Sequence, residues 1–263
     1  PRVHARIGSM YRQHELDARV FSKSERILGR ELAGGRHRTR RELAEAFAAA
    51  GIAAAGPRLA HILSHAELEA VVCSGAMKGK QHTYALVDER APDSDTLDDE
   101  QALAELTRRY FTSRGPATVQ DFVRWSSLTV AQARAGLDMA EPDLAQEPID
   151  GLTYWFAASP VDGRARWSRI DLVQGYDEVI MGYSESRDVL LAEVDLTQPW
   201  VGPSLLHAIL LGGRLVGHWK PVVSPGSIRI ETALYRPPAD DRALDAAIAR
   251  YGRFVGAPVT RLP

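Results

Sequence analysis

Three groups of residues have side chains and spacings suited to chemistry. His61, His65 and Glu69 recur at four-residue intervals, so on a helix they share one face, a spacing that can hold a metal ion. Asp177-Glu178, within GYDEVIMGY, is an adjacent carboxylate pair, and a carboxylate can orient or activate water. Lys78, Lys80, Gln81 and His82 form a short basic run beside Gly79, with donors suited to phosphate oxygens. Two further basic groups stand at turns. Arg36, His37, Arg38, Arg40 and Arg41 precede a helix start, where backbone N–H groups also favour anions. Lys220 and Arg229 flank the Pro225-Gly226 turn. The His61-x3-His65-x3-Glu69 pattern lacks the Glu of a zincin motif, and helix surfaces often carry such pairs, so no metal and no cofactor are expected. Asp177 and Glu178 are the only weak catalytic candidates, with a turn-capping role as the alternative.

These side chains need elements to hold them. Leu59, Ile62, Leu63, Ala66 and Ala70 recur at helical spacing after Pro57. Val71, Val72 and Cys73 then form an apolar run, and Thr83–Val87 a second, with the basic loop between them. Upstream, Thr39 with Glu42 three residues on is a capping box, and Leu43, Ala46, Phe47 and Ala50 form that helix's apolar face. Residues 39–87 therefore read helix, turn, helix, strand, wing, strand: a winged helix. In such folds the second helix enters the major groove, which points to Arg58, His61, Ser64 and His65 as its exposed residues. Residues 10–33 read as one helix ending at Gly34-Gly35, and 98–114 as another.

The stretch 117–157 echoes the winged unit. Thr118 with Asp121 repeats the cap, Thr129 starts a helix over 130–140, and Thr153-Tyr154-Trp155-Phe156 matches Thr83-Tyr84-Ala85-Leu86. Its second helix offers Gln132, Arg134, Asp138 and Glu141, a poor set for phosphate, so a scaffold role is expected. Beyond about 160 the pattern turns to strands. Apolar runs 205–211 and 214–219 flank Gly212-Gly213, and 222–223 and 228–234 flank a second turn. A helix over 239–255 with Leu244, Ala247, Ile248, Tyr251 and Phe254 on one stripe should pack on that sheet.

Bulk properties fit this reading. The 263 residues are 45% hydrophobic and 25% charged, ordinary for a globular protein, with no apolar run long enough to span a membrane. One cysteine, Cys73, excludes an intrachain disulfide and a cysteine-based zinc site, suits a reducing cytosol, and is expected in the core. Net charge is −2, but residues 1–90 carry 15 Lys and Arg against 10 Asp and Glu, while 91–263 carry 17 against 24. A basic first third fits contact with a polyanion. The chain opens mid-pattern at Pro1, which suggests a fragment of a longer protein.

Four stretches, HAELEAVVCSGAMKGKQHTYALVDERAP, RRYFTSRGPATVQDFVRWSSLTVAQAR, QGYDEVIMGYSESRDVL and LLGGRLVGHWK, occur in the order found in the bacterial winged-helix DNA glycosylases, the AlkZ/YcaQ-like proteins, and the chain resembles that family over nearly its whole length. The resemblance implies tandem winged helices and a C-terminal β-barrel around duplex DNA, and metal-free hydrolysis of the N-glycosidic bond of alkylated or crosslinked bases. It also implies a catalytic Gln-X-Gln or Gln-X-Asp motif near the N-terminus, and neither pattern occurs in these residues. The expected fold is α+β: a helical remnant of an N-terminal winged helix at 1–35, a winged helix at 36–92, a second winged-helix-like unit at 97–158, and a small antiparallel β-sheet or barrel with a C-terminal helix at 160–263. The expected partner is double-stranded DNA, bound by a cytoplasmic, nucleoid-associated monomer. The expected contacts are Arg36, Arg38, Arg40, Arg41, Arg58, His61, His65, Lys78, Lys80, Gln81, Lys220 and Arg229. The alternative is a non-catalytic winged-helix DNA-binding or regulatory protein.

Overall fold

The computed structural model describes residues 2–92, 97–159, 168–187, 207–235 and 241–262. It divides into two compact units, 1–96 and 97–263. The first two residues of the run 205–211 and of the helix expected over 239–255 lie outside the described residues.

The first unit runs α1 (Arg2–Gln13), α2 (Ala18–Leu32), β1 (Arg38–Thr39), α3 (Arg40–Ala49), α4 (Gly56–Leu68), β2 (Val72–Ser74), β3 (Thr83–Leu86) and a short α5 (Val87–Arg90). The strands form one antiparallel sheet in the order β1-β3-β2, with Arg38 opposite Tyr84 and Val72 opposite Leu86. From α2 onward this is the winged-helix succession of helix, strand, helix, helix, strand, strand. Both halves of the Thr39–Glu42 capping box form: the Glu42 N–H donates to Thr39 Oγ1, and the Thr39 N–H donates to the Glu42 carboxylate at 2.7 Å. The apolar face predicted for α4 is buried: Leu59, Ile62, Leu63 and Ala66.

The helix expected over 10–33 is instead two helices. Glu15 takes a positive φ of 50°, which an α-helix of L-residues cannot continue through. Asp17 then accepts a 2.8 Å bond from the Val20 N–H and caps α2 afresh. Tyr11 of α1 and Phe21, Leu28 and Leu32 of α2 share one core with Leu43, Phe47, Ile62 and Leu63. The helices expected to belong to a preceding unit thus supply this unit's own core. Ala70 lies past the end of α4, exposed and at φ 55°, so it takes no part in the buried stripe.

The second unit begins with α6 (Asp99–Arg114), capped by Asp98, then α7 (Val119–Ser126), α8 (Val130–Ala140), a single 3₁₀ turn, and the hairpin β4 (Leu144–Ile149) and β5 (Leu152–Ala157). Thr118 and Thr129 each head a complete capping box, with Asp121 and Gln132 as the returning acceptors. Ala117, just before the cap of α7, exchanges backbone bonds with Trp155 of β5, as Arg38 beside the cap of α3 stands opposite Tyr84 of β3. The echo read from the sequence is therefore also an echo of strand pairing. Gly136 lets α8 approach α6, because a Cβ there would collide with Thr107.

Among the described residues five strands follow, in the order β10-β9-β8-β7-β6: β6 (Ile170–Leu172), β7 (Ala208–Leu211), β8 (Arg214–Ser224), β9 (Ser227–Leu234) and β10 (Val259–Arg261). All pair antiparallel except β10, which runs parallel to β9. Gly212 and Gly213 both take positive φ at the β7–β8 turn, as a two-residue hairpin requires. The runs 214–219 and 222–223 belong to one long strand. Helix α10 (Arg242–Val255) buries Leu244, Ala247 and Ile248 against Ile170, Ile209, Trp219 and Ile230. Phe254, expected on that stripe, is 87% exposed, one residue before the helix ends. A short α9 (Glu178–Met181) lies between β6 and β7 in sequence. Among the described residues no helix is long and apolar enough to cross a membrane.

Candidate nucleic-acid interface

In the first unit, the start of α3 and the wing enclose an open groove of about 710 Å³. Arg40 and Arg41 enter it from the first turn of α3, Lys80, Gln81 and His82 from the wing, and Thr83 and Tyr84 from β3. The wing tip is built locally. Lys78 and Gln81 exchange backbone bonds of 3.0 and 3.1 Å, and Gly79 turns between them at φ 62°. The His37 ring accepts a 2.7 Å bond from the Ala76 N–H and fixes the wing's base to the loop before α3. Arg40, Arg41, Lys80 and Gln81 are all exposed. Arg40 also reaches the Gly56 carbonyl at 3.1 Å, and Arg41 lies 3.9 Å from Glu45. Cationic and amide donors beside a helix N-terminus are chemically matched to phosphate oxygens.

Lys78 stands differently. Its Nζ is 2.7 Å from Glu42 Oε1, so its charge is already paired. Hydrogen bonds from Lys78, then from the Thr39 N–H and hydroxyl, hold the Glu42 carboxyl down at about 2. Sequence reasoning found Glu42 as a cap but not as the wing's anchor, because the pairing spans 36 residues.

The remaining candidates of this unit are not brought to the groove. Arg36 folds back on the Ala33 carbonyl at 2.8 Å and on that of Arg30. Arg38 points toward Glu31 at 3.9 Å. Arg58, His61, Ser64 and His65, expected as the exposed face of a recognition helix, are all partly buried. Helix α1 and the turn after it cover that face: Arg58 donates to the His14 carbonyl, and the His61 ring meets those of Tyr11 and His14. His65 stacks flat on Phe21 with ring centroids 3.7 Å apart. Burial pushes the His65 pKa down, nearby His4 adds to that, and Glu69 and Glu25 oppose it. Cys73 is half-buried, not fully in the core.

In the second unit both catalytic candidates carry structural bonds. Asp177 caps α9, accepting from the Val179 N–H at 3.0 Å. Glu178 pairs with Arg114, whose guanidinium also lies 4.8 Å over the Trp125 ring. Neither lines the neighbouring cavity of about 500 Å³, which is bounded by Pro116, Tyr154, Val179, Tyr183 and Ser186. Lys220 and Arg229 are exposed on the β8–β9 hairpin, with Lys220 directly opposite Glu231. Gln132 is engaged in its capping box.

Asp121 is the acidic residue that sequence reasoning undervalued. It is fully buried, yet it accepts from the Thr118 N–H at 2.9 Å, the Ser184 N–H at 2.6 Å, and the hydroxyls of Ser184 and Ser186. Burial drives its carboxyl up, and the bonds from Ser186, Thr118 and Ser184 overcome that and leave it below the ordinary value. The cap spacing at Thr118 was legible; the serines more than 60 residues away were not.

Comparisons with known proteins agree with this architecture. The family model of the AlkZ-like DNA glycosylases matches residues 1–254. A curated relative, an interstrand DNA cross-link repair glycosylase from Streptomyces sahachiroi, is 24% identical over 165 residues, which is 58% of this chain and 43% of that protein. This chain therefore corresponds to less than half of that relative's length. The solved structure of the Streptomyces sahachiroi DNA glycosylase AlkZ superimposes with a TM-score of 0.69 at 20% identity, covering 97% of this chain and 72% of that one, which is a likeness of fold. With a family match over nearly its full length and a matching fold, the chain belongs to the AlkZ-like DNA glycosylase family.

Proposed function

We propose that this chain is the duplex-gripping part of a DNA glycosylase that removes alkylated or crosslinked bases. The observation that carries this reading is the groove of the first unit, where Arg40, Arg41, Lys80, Gln81 and His82 converge from a helix start and a wing. Phosphates would lie along that groove, neutralised by the arginines and Lys80. Lys220 and Arg229 offer a separate basic hairpin for the backbone. Such a protein would work with the nucleoid. Base excision requires a group that activates water at the sugar C1′. The carboxylates of Asp177 and Glu178 are engaged in a cap and an ion pair, which speaks against them in that role.

A second reading fits the same groove. It is a member of the same family that binds duplex DNA without excising bases; these residues contain no Gln-X-Gln or Gln-X-Asp, so the groove by itself serves either reading.

Fluorescence anisotropy with a labelled duplex tests the grip. Raising salt from about 50 to about 200 mM should weaken binding steeply if several phosphates are neutralised. Absence of binding, or binding indifferent to salt, would sink both readings. Release of a methylated base from such a duplex by the full-length protein separates them.

A further inference from the structure

We propose that His4, His65 and Glu69 bind one divalent transition-metal ion of the zinc class, joining α1 to the end of α4. The three side chains offer ligand atoms that all lie within 4.8 Å of one another. His4 Nε2 is 2.7 Å from Glu69 Oε1, and the rings of His4 and His65 are 4.9 Å apart at 48°. Two imidazoles and a carboxylate are the borderline donor set that suits zinc, with a fourth position left for water.

The surroundings have the features of a metal site. Tyr11 Oη is 3.0 Å from His4 Nδ1, and Glu25 Oε1 is 3.8 Å from His65 Nδ1. Phe21, stacked on His65, fixes that ring's plane. Outer partners of this kind set the tautomer and orientation of ligating histidines. His4 turns Nε2 toward Glu69 and Nδ1 toward the Tyr11 hydroxyl. A ring that binds an ion through Nε2 carries its proton on Nδ1, where the Tyr11 hydroxyl is placed to accept it. An ion would draw the three ligand atoms, now within 4.8 Å of one another, to bonds of about 2.0–2.2 Å each. Glu69 caps the end of α4 with its side chain 49% accessible, so it can swing.

The site is not the one that sequence spacing suggests. His61 lies four residues before His65 but faces His14 and Tyr11. His4 takes its place, carried in by α1. The ion would thus pin α1 over the face of α4 that it covers.

Isothermal titration of the metal-stripped chain with zinc chloride tests this, with cobalt(II) absorption as a reporter of a four-coordinate site. We expect one ion per chain and a rise in Tm on adding zinc. Glu69→Gln, on the surface, and His4→Ala should each weaken binding about tenfold or more, and abolish the Tm rise. His82→Ala, outside the cluster, should leave zinc affinity unchanged. Should His4→Ala fail to fold, Glu69→Gln alone decides. No saturable zinc uptake by the unmodified chain, or uptake equal in Glu69→Gln and the unmodified chain, would overturn the proposal.

Discussion

Lys78 Nζ lies 2.7 Å from Glu42 Oε1, fastening the tip of the wing to the first turn of α3. The same carboxylate accepts the Thr39 N–H and hydroxyl. One glutamate thus closes the helix, aims the wing and occupies the wing's first lysine. Lys80, two residues on, is left lining the groove.

This division of labour separates two lysines that look alike in sequence. Lys80→Ala should weaken duplex binding and reduce the salt slope by about one. Lys78→Ala should also weaken binding, but by leaving the Glu42 charge uncompensated at the groove's edge. Restoring neutrality in Lys78→Ala/Glu42→Gln should recover part of that loss. Anisotropy titrations at several salt concentrations check both; equal slopes for Lys80→Ala and the unmodified chain would count against the groove.

The depressed Glu42 pKa makes a pH prediction. A carboxyl near 2 in the folded chain and ~4.3 in the unfolded one binds its proton more readily when unfolded. Its stabilising contribution is present above ~4.3 and is lost as pH falls toward 2. Glu42→Gln should therefore flatten the decline of Tm over that window compared with the unmodified chain. Calorimetry from neutral pH down to acid conditions measures the difference.

Asp121→Asn tests the buried hub of the second unit. An amide cannot accept from Thr118, Ser184 and Ser186 together, and it brings two donors among donors. Leaving buried groups unpaired costs about 1–3 kcal/mol each. A fall in urea midpoint is expected, with loss of order around Ser184–Ser186 seen by hydrogen exchange. A midpoint within error of the unmodified chain would contradict the hub.

Thr39→Ala removes the cap of α3 and one donor to Glu42 at once. The loss should be about 1 kcal/mol, the usual worth of such a cap. Thr39→Ser, which keeps the hydroxyl, should recover most of it. Urea denaturation of both variants checks the pair.

The chain's local grammar was legible in its sequence. The caps of Thr39 with Glu42 and of Thr118 with Asp121, the helix start at Thr129, the burial stripe of α4, the Gly212-Gly213 turn and the family resemblance all appeared there. Such signals act over three or four residues, through a side chain meeting the next turn of its own backbone. Tertiary structure decided the rest. It turned the histidines of α4 beneath α1, gave Lys78 to Glu42, and led Ser184 and Ser186 to Asp121. Those partners lie tens of residues apart, so only the packing of hydrophobic cores fixes which side chains meet, and no spacing in the sequence encodes it.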